Sequence, residues 1–210
     1  MIAGRAHQTL RFEDVEQKKV IAITDDDVTK EYFSESGGKD SGLCLLDSLK
    51  AWRSNGWTVG NQLLKILAFA EIDRANQNEV MSTMASKIGI MTGVVLPIGA
   101  MEAFGEGKPW TDTSQNRYEG GHCIFIVAYD QDWLTCVTWG RKQKMSWDWF
   151  FKYTDEAFGV IDAQNTGAVI KPNSLDDYFR WLNELERNRI KAFIVWLKGK
   201  LHITQSHSFF

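Results

Sequence analysis

The sequence has few cysteines and no long apolar run. It contains three Cys among 210 residues, an odd number, and Cys123 and Cys136 lie inside predicted strands. We therefore expect reduced thiols rather than a disulfide framework. The longest apolar run, Ala192 to Leu197, is far too short to cross a bilayer, and the first residues lack the charged head and apolar stretch of a signal peptide. We expect no membrane partner and no secretion by a signal peptide.

An excess of charge of one sign is also missing. The 24 basic and 27 acidic residues give a formal net charge of −3 at pH 7, and the two signs are mixed along the sequence. Chains that bind nucleic acid usually concentrate their Lys and Arg residues, so we expect no nucleic-acid partner.

Signals for cofactors and metals are absent or weak. There is no glycine-rich phosphate loop and no Gly-x-Ser-x-Gly elbow. His202 and His207 have no Cys or acidic residues at the spacing that zinc requires, so we interpret them as surface histidines. The acidic run 25–27 could bind a cation, although such a cluster more often begins a helix and supplies its N-cap. We expect no cofactor and no metal.

Aromatic residues, in contrast, are abundant. Nine Trp and twelve Phe favour a dense core or a large contact surface. Periodicity and capping signals predict several helices and strands, followed by a long polar, glycine-bearing loop from Gly99 to Glu119. The predicted helices cover 1–20, 25–33, 43–52 and 76–88, and the first strands cover 66–72 and 90–96.

The most informative stretch is centred on Gly120-Gly121-His122. The two glycines place the backbone of a His at the start of an apolar run, which suits a reactive imidazole. The run Cys123 to Tyr129 is rich in β-branched and aromatic residues and is predicted to be a buried strand. After a tight connection, Leu134 to Trp139 is predicted to return antiparallel to it.

This order of motifs resembles the C-terminal half of papain-like cysteine peptidases, in which a Gly-Gly-His opens one strand and an Asn-Ser-Trp-Gly closes the return strand. It is closer still to papain-fold proteins encoded by tailed phages. The matching positions are His122, Tyr129-Asp130, Val137-Thr138-Trp139-Gly140, Met145-Ser146-Trp147 and Asp155-Glu156-Ala157-Phe158.

The resemblance implies an α+β papain-like fold over residues 1–162, with helices packed on a twisted antiparallel sheet. Residues 163–210 are predicted to form a linker and amphipathic helices, a helical C-terminal extension that either packs on the core or serves as an interaction arm. In this comparison His122 would be the catalytic base. The residues that would mark the fold are Gly120, Gly121, Trp139, Gly140 and Trp147.

Cys44 is the candidate nucleophile that local sequence suggests, because it follows a Gly and lies in the predicted first turn of a helix. Its neighbours oppose this role, since Leu43, Leu45 and Leu46 surround it and a buried apolar thiol is inert. In the phage proteins, moreover, the helix that corresponds to Asp40 to Arg53 is a middle helix.

The nucleophile of those phage proteins precedes a helix that resembles Ile2 to His7. On this comparison the nucleophile would lie before Met1. The sequence then either starts inside the nucleophile helix or belongs to a protein that has lost its nucleophile.

The group that would orient His122 is not evident either. Val137 stands where papain-like peptidases have Asn, and valine cannot accept a hydrogen bond from an imidazole. Thr138 is one step along the strand and is expected to face the other way. Cys123 is expected on the face opposite His122, and Cys136 in the core. The sequence therefore predicts a His without a catalytic partner.

Two hypotheses follow. The first is a catalytically inactive papain-like domain that serves as a structural or interaction component of a phage virion. It would be made in the host cytoplasm and would contact other protein subunits through residues 174–201. The second is an active papain-like cysteine peptidase or amide hydrolase, with His122 as base and Cys44 as nucleophile. We favour the first, because Gly-Gly-His also serves a tight strand entry that needs no catalysis.

Trp139 and Trp147 are expected to be core anchors. On that expectation, Trp139→Ala should lower the free energy of unfolding by about 3–5 kcal/mol. Urea denaturation of the variant beside the parent measures this loss, and an unchanged midpoint would mean that the return strand is misplaced.

Overall fold

The computed structural model describes residues 2, 4–6, 22–86 and 88–162. The chain divides into two units, Met1–Val169 and Ile170–Phe210, and the described residues all belong to the first. The linker and helices predicted over 163–210 lie outside the described residues, as does most of the helix predicted over 1–20. The boundary expected after residue 162 therefore stays a prediction.

The described residues from 22 onward contain five helices and eight strands. None of the described helices has the length and apolar character needed to cross a membrane. The helices are α1 (Asp25–Glu35), α2 (Leu45–Ser54), α3 (Gln77–Ala85), α4 (Ile98–Gly105) and α5 (Trp147–Tyr153). The strands are β1 (Trp57–Val59), β2 (Gln62–Leu64), β3 (Ile66–Glu71), β4 (Gly89–Pro97), β5 (Tyr118–Tyr129), β6 (Trp133–Thr138), β7 (Arg141–Ser146) and β8 (Thr154–Asp162).

Six of these strands form one antiparallel sheet in the order β3-β8-β4-β5-β6-β7, and β1 and β2 form a separate hairpin. β4 pairs with β5 on one side and with β8 on the other. It is buried along almost its whole length, because elements cover both faces of the sheet. The predicted α+β class, with helices on an antiparallel sheet, is confirmed.

The sheet separates two apolar clusters, because alternate residues of a strand point to opposite faces. Ile124 of β5 joins a cluster with α3, α4 and α5, which includes Trp149. The next residue, Phe125, joins the second cluster with α2 and the helical residue Ile2, which includes Trp52. The face that a β5 residue takes therefore decides which core it contacts.

Several elements lie where the sequence predicted them. β3 and β4 match the strands expected over 66–72 and 90–96, and α3 matches the helix expected over 76–88, with Asn76 as its N-cap. The start of α1 differs in detail. Its N-cap is Thr24, which forms a capping box with Asp27, so the three acids occupy the first turn instead, where the helix dipole favours them.

The loop predicted from Gly99 to Glu119 contains a helix, so that prediction was wrong. α4 covers the first part of this range and buries Ala100. The carbonyl oxygen of Ala100 accepts a hydrogen bond from Trp110 Nε1 at 2.8 Å. The polar residues of this range lie after Gly105, whereas the helical part is apolar apart from Glu102, and the bond from Trp110 supports it from outside the helix.

Trp139 is not a core anchor, which corrects a second expectation. Its side chain is 40% exposed, whereas that of Trp147 is 6% exposed. Trp139 and Gly140 form the tight turn between β6 and β7, and both have positive φ angles, 44° and 72°. Such a turn suits the twist of a hairpin, but its first position normally carries Asn, Asp or Gly rather than Trp. The return strand therefore ends at Thr138, one residue earlier than predicted.

Trp149 offers the stability test that Trp139 does not. It is 1% exposed and stacks on Trp110 with ring centroids 4.6 Å apart. We expect Trp149→Ala to lower the free energy of unfolding by about 3–5 kcal/mol. Trp139→Ala is the matched control, and it should cost clearly less because its indole is half in solvent. Urea denaturation measures both, and equal losses would contradict the surface position of Trp139.

Candidate functional site

His122 lies near the start of β5, half-buried, and has a partner in Thr138. Its Nε2 atom is 2.7 Å from Thr138 Oγ1. β5 pairs with β6 so that Phe125 lies opposite Val137. Because alternate residues share a face, this register places Ile124 opposite Thr138 and puts the Thr138 side chain on the same face as His122.

The expectation that Thr138 faces away from His122 is therefore wrong. The sequence placed Val137 at the position of the residue that orients the His, and so on the face of His122. In the structure Val137 lies opposite Phe125 and so belongs to the other face of the sheet, away from the imidazole. The hydroxyl of Thr138, and not the side chain at 137, is the group that holds the ring.

Trp139 covers one face of the imidazole. The two ring centroids are 4.5 Å apart with an interplanar angle of 21°. The indole also contacts Phe104 at 4.7 Å between centroids. The left-handed backbone at Trp139 thus has a consequence for the site, because the turn that contains it places the indole over the imidazole of His122.

Burial keeps this imidazole neutral. It lowers the pKa of His122 to about 4, well below the ordinary value near 6.5. Thr138 presents a neutral hydroxyl, which can hydrogen-bond either tautomer but cannot balance a positive charge as a carboxylate would. His122 is consequently a weak base at neutral pH.

Two of the three cysteines are unsuited to pair with His122. Cys136 is fully buried, and burial raises its pKa far above the ordinary value. Cys123 follows His122 directly but packs with the opposite cluster, the one that contains Phe125, and burial raises its pKa as well. Both placements agree with the expectations from the sequence.

Cys44 is exposed, so the expectation that its leucine neighbours bury it was wrong. It is the N-cap of α2, just before the first turn that the sequence predicted for it. It lines a cleft of about 520 Å³ together with His122. Among the described residues, no hydrogen bond joins the Cys44 thiol to the imidazole. The structure thus brings the two candidate catalytic residues into one cleft without bringing them into contact.

A buried arginine that sequence reasoning missed supports the wall of this cleft. Arg5 is fully buried, and its guanidinium pairs with Glu31 at 3.2 Å and Glu35 at 2.5 Å, both on α1. It also donates to the carbonyl oxygen of Ser48 on α2 at 2.7 Å. A buried charge is tolerated only with such partners, so Arg5 ties α1 and α2 to the helical residues 4–6. The one signal in the sequence was an arginine within a small-residue helix.

Two carboxylates at the cleft were also missed as site residues. The pairing of β4 with β8 shifts register between Gly93 and Val94, and Asp155 and Glu156 both lie over Gly93. A Cβ atom at position 93 would be 2.7 Å from Asp155 Oδ1 and 2.7 Å from Glu156 Cγ. Burial raises the pKa of Glu156, helped by the charges of Asp155 and Glu71. A glycine inside a strand is the sequence signal for such a close approach.

Comparisons with known proteins bear on the fold alone. No protein-family model matches the chain, and a search of curated proteins found no match. Among solved structures, the chain is similar to xylellain, a cysteine protease from Xylella fastidiosa, with a TM-score of 0.57. The two are 13% identical, and the match covers 74% of this chain and 76% of that one. At this identity the likeness establishes a papain-like fold, as predicted, and nothing about activity.

The depressed pKa of His122 predicts how stability depends on pH. The pKa is about 4 in the folded protein and about 6.5 in an unfolded chain, so the unfolded chain binds the proton first as the pH falls. The contribution of neutral His122 to the free energy of unfolding is complete above about pH 6.5 and is lost progressively as the pH falls to about 4. We expect the melting temperature of the parent to fall more steeply over this range than that of His122→Gln. If the melting temperatures of the parent and of His122→Gln fall equally with pH, His122 is not a buried neutral imidazole.

Proposed function

We propose that this papain-like unit is catalytically inactive and serves as a structural or interaction component that binds other proteins without cleaving them. One observation carries the proposal: none of the three cysteines of the chain, all of which are described, makes a hydrogen bond to His122. A cysteine peptidase needs a thiolate paired with an imidazole. Among the residues that the structure describes, that pair is not assembled.

The chemistry of His122 supports the same proposal. A thiolate–imidazolium pair requires an imidazole that holds its proton near neutral pH. The pKa of His122 is about 4, and its partner is a hydroxyl rather than a charged group. An imidazole in this setting is poorly suited to activate a thiol.

His122 has a structural use that does not depend on catalysis. Its bond to Thr138 and its stacking on Trp139 join β5 to the turn at the end of β6. Trp139 in turn contacts Phe104 on α4. The imidazole therefore helps to anchor a hairpin at the edge of the sheet, a role that does not require a nucleophile.

The setting that we propose is a tailed-phage particle, with the protein made in the host cytoplasm and contacting other subunits through residues 174–201. It rests on the resemblance of Val137-Thr138-Trp139-Gly140 and Met145-Ser146-Trp147 to phage-encoded proteins. The proposed contact segment lies outside the described residues. Mass spectrometry of purified particles tests this setting, and absence of the chain from intact particles would refute it.

A second candidate is a cysteine peptidase or amide hydrolase that uses Cys44 with His122. Two observations favour it: the residues line the same cleft, and Cys44 is exposed at the N-terminal end of α2, a position that reactive thiols often take. This candidate requires the thiol and the imidazole to come into contact, which they do not make among the described hydrogen bonds.

Alkylation by iodoacetamide between about pH 5 and pH 9 separates the two candidates. Adducts are mapped by digestion and mass spectrometry for the parent, His122→Ala and Cys44→Ala, the last as the control for labelling elsewhere. An inactive domain predicts slow labelling of Cys44 that rises only above about pH 8 and is unchanged by His122→Ala. Fast labelling of Cys44 below about pH 7 that His122→Ala abolishes would overturn our proposal.

A further inference from the structure

A groove of about 330 Å³ lies at the β7 edge of the sheet, apart from the His122 cleft. We call it the β7 groove, and its principal lining residues are Phe104, Lys108, Trp133, Arg141, Lys142 and Lys144. None of them lines the cleft that contains His122 and Cys44.

The groove exists because the segment that contains Trp110 runs beside only the last part of β7. Trp110 N donates to the carbonyl oxygen of Lys144, and Ser146 N donates to the carbonyl oxygen of Trp110, both at 2.9 Å. Two residues before Trp110, the segment has left the strand, and Lys108 N donates to the carbonyl oxygen of Ala103 on α4 instead. The edge of β7 beside Lys142 is therefore left open.

The backbone of Lys142 faces this opening. In an antiparallel pair, the N–H and C=O groups of alternate residues point away from the partner strand. The carbonyl of Lys144 points outward, because it accepts the bond from Trp110, so Lys142, two residues earlier, has the same orientation. No backbone group among the described residues pairs with the N–H or C=O of Lys142. A strand edge with these groups free is a template for an added strand.

The groove also concentrates positive charge. Lys108 is paired with Glu106 at 2.7 Å, but no described carboxylate pairs with Arg141, Lys142 or Lys144. The whole chain has a formal charge of −3, so this excess is local. Arg141, Lys142 and Lys144 are already close together in the sequence, and the fold adds Lys108 to them.

Aromatic rings hold two of these cations in place. The Arg141 guanidinium lies 4.0 Å from the centre of the Phe104 ring and donates to the Phe104 carbonyl oxygen at 3.1 Å. The Lys144 ammonium is 6.0 Å from the centre of the Trp133 ring. Held in this way, the side chains lose less conformational freedom when an anion binds.

We propose that the β7 groove binds an acidic, extended peptide segment of a partner protein, which adds to the sheet beside Lys142. The cations attract its carboxylates, and the free N–H and C=O of Lys142 pair with its backbone. The open strand edge favours a peptide over a nucleic acid, because a phosphodiester chain cannot complete a strand edge. The proposal is independent of whether His122 takes part in catalysis.

Fluorescence anisotropy with a labelled peptide of alternating Glu and Val, about ten residues long, tests it. The comparison probes are the same peptide with Gln in place of Glu, the Glu peptide N-methylated at every residue so that neither edge can pair, and an oligothymidylate of equal length. The proteins are the parent, Lys142→Gln/Lys144→Gln, and a matched control, Lys39→Gln/Lys152→Gln, which removes the same charge from exposed positions elsewhere. Circular dichroism melts check that the variants fold.

We expect the Glu peptide to bind the parent best and the Lys142→Gln/Lys144→Gln variant about tenfold more weakly, with a smaller salt dependence. The matched control should bind like the parent, and N-methylation should weaken binding. Equal binding of the Glu and Gln peptides, or of the parent and the groove variant, would overturn the proposal. Tighter binding of the oligothymidylate would assign the groove to nucleic acid instead, and indifference to N-methylation would refute the added strand.

Discussion

The antiparallel register between β5 and β6 is the constraint on which the site depends. It places Thr138, and not Val137, on the face of His122, and it ends β6 where Trp139 can turn its indole over the imidazole. A shift of one residue would move every side chain of β6 to the opposite face. The partner of His122 and the stacking of Trp139 both follow from this alignment. Burial keeps the imidazole neutral, and alternation along β5 places Cys123 on the opposite face.

Aromatic contacts connect the cleft to the far edge of the sheet. His122 stacks on Trp139, Trp139 contacts Phe104, and Arg141 lies over Phe104. The turn between β6 and β7 is thereby fixed to Phe104 of α4. His122 and Trp139 help to hold this hairpin whether or not the domain is catalytic, and the hairpin in turn presents the β7 groove.

Much of the fold could be predicted from the sequence, but less of the site. The strands β3, β4 and β5 are apolar and β-branched, and α3 has a cap and a periodic stripe, so local patterns were sufficient for them. α4 was missed because its support is a hydrogen bond from Trp110, which no local pattern reports. Trp139 was misjudged because a large aromatic residue normally indicates a core, whereas here a positive φ angle places it on a turn.

The α+β class was implied by the family resemblance. The sequence by itself determined several of the helices and strands, the presence of an imidazole at the entry of an apolar strand, and the small number of thiols that could pair with it. These follow from composition and short-range periodicity, which are properties of neighbouring residues. Only the tertiary structure decided that Thr138 holds His122, that Cys44 shares its cleft without contact, and that Lys108 joins the cations of β7. Those outcomes depend on strand register and on where distant segments meet, and neither is encoded in the spacing of residues along one stretch of chain.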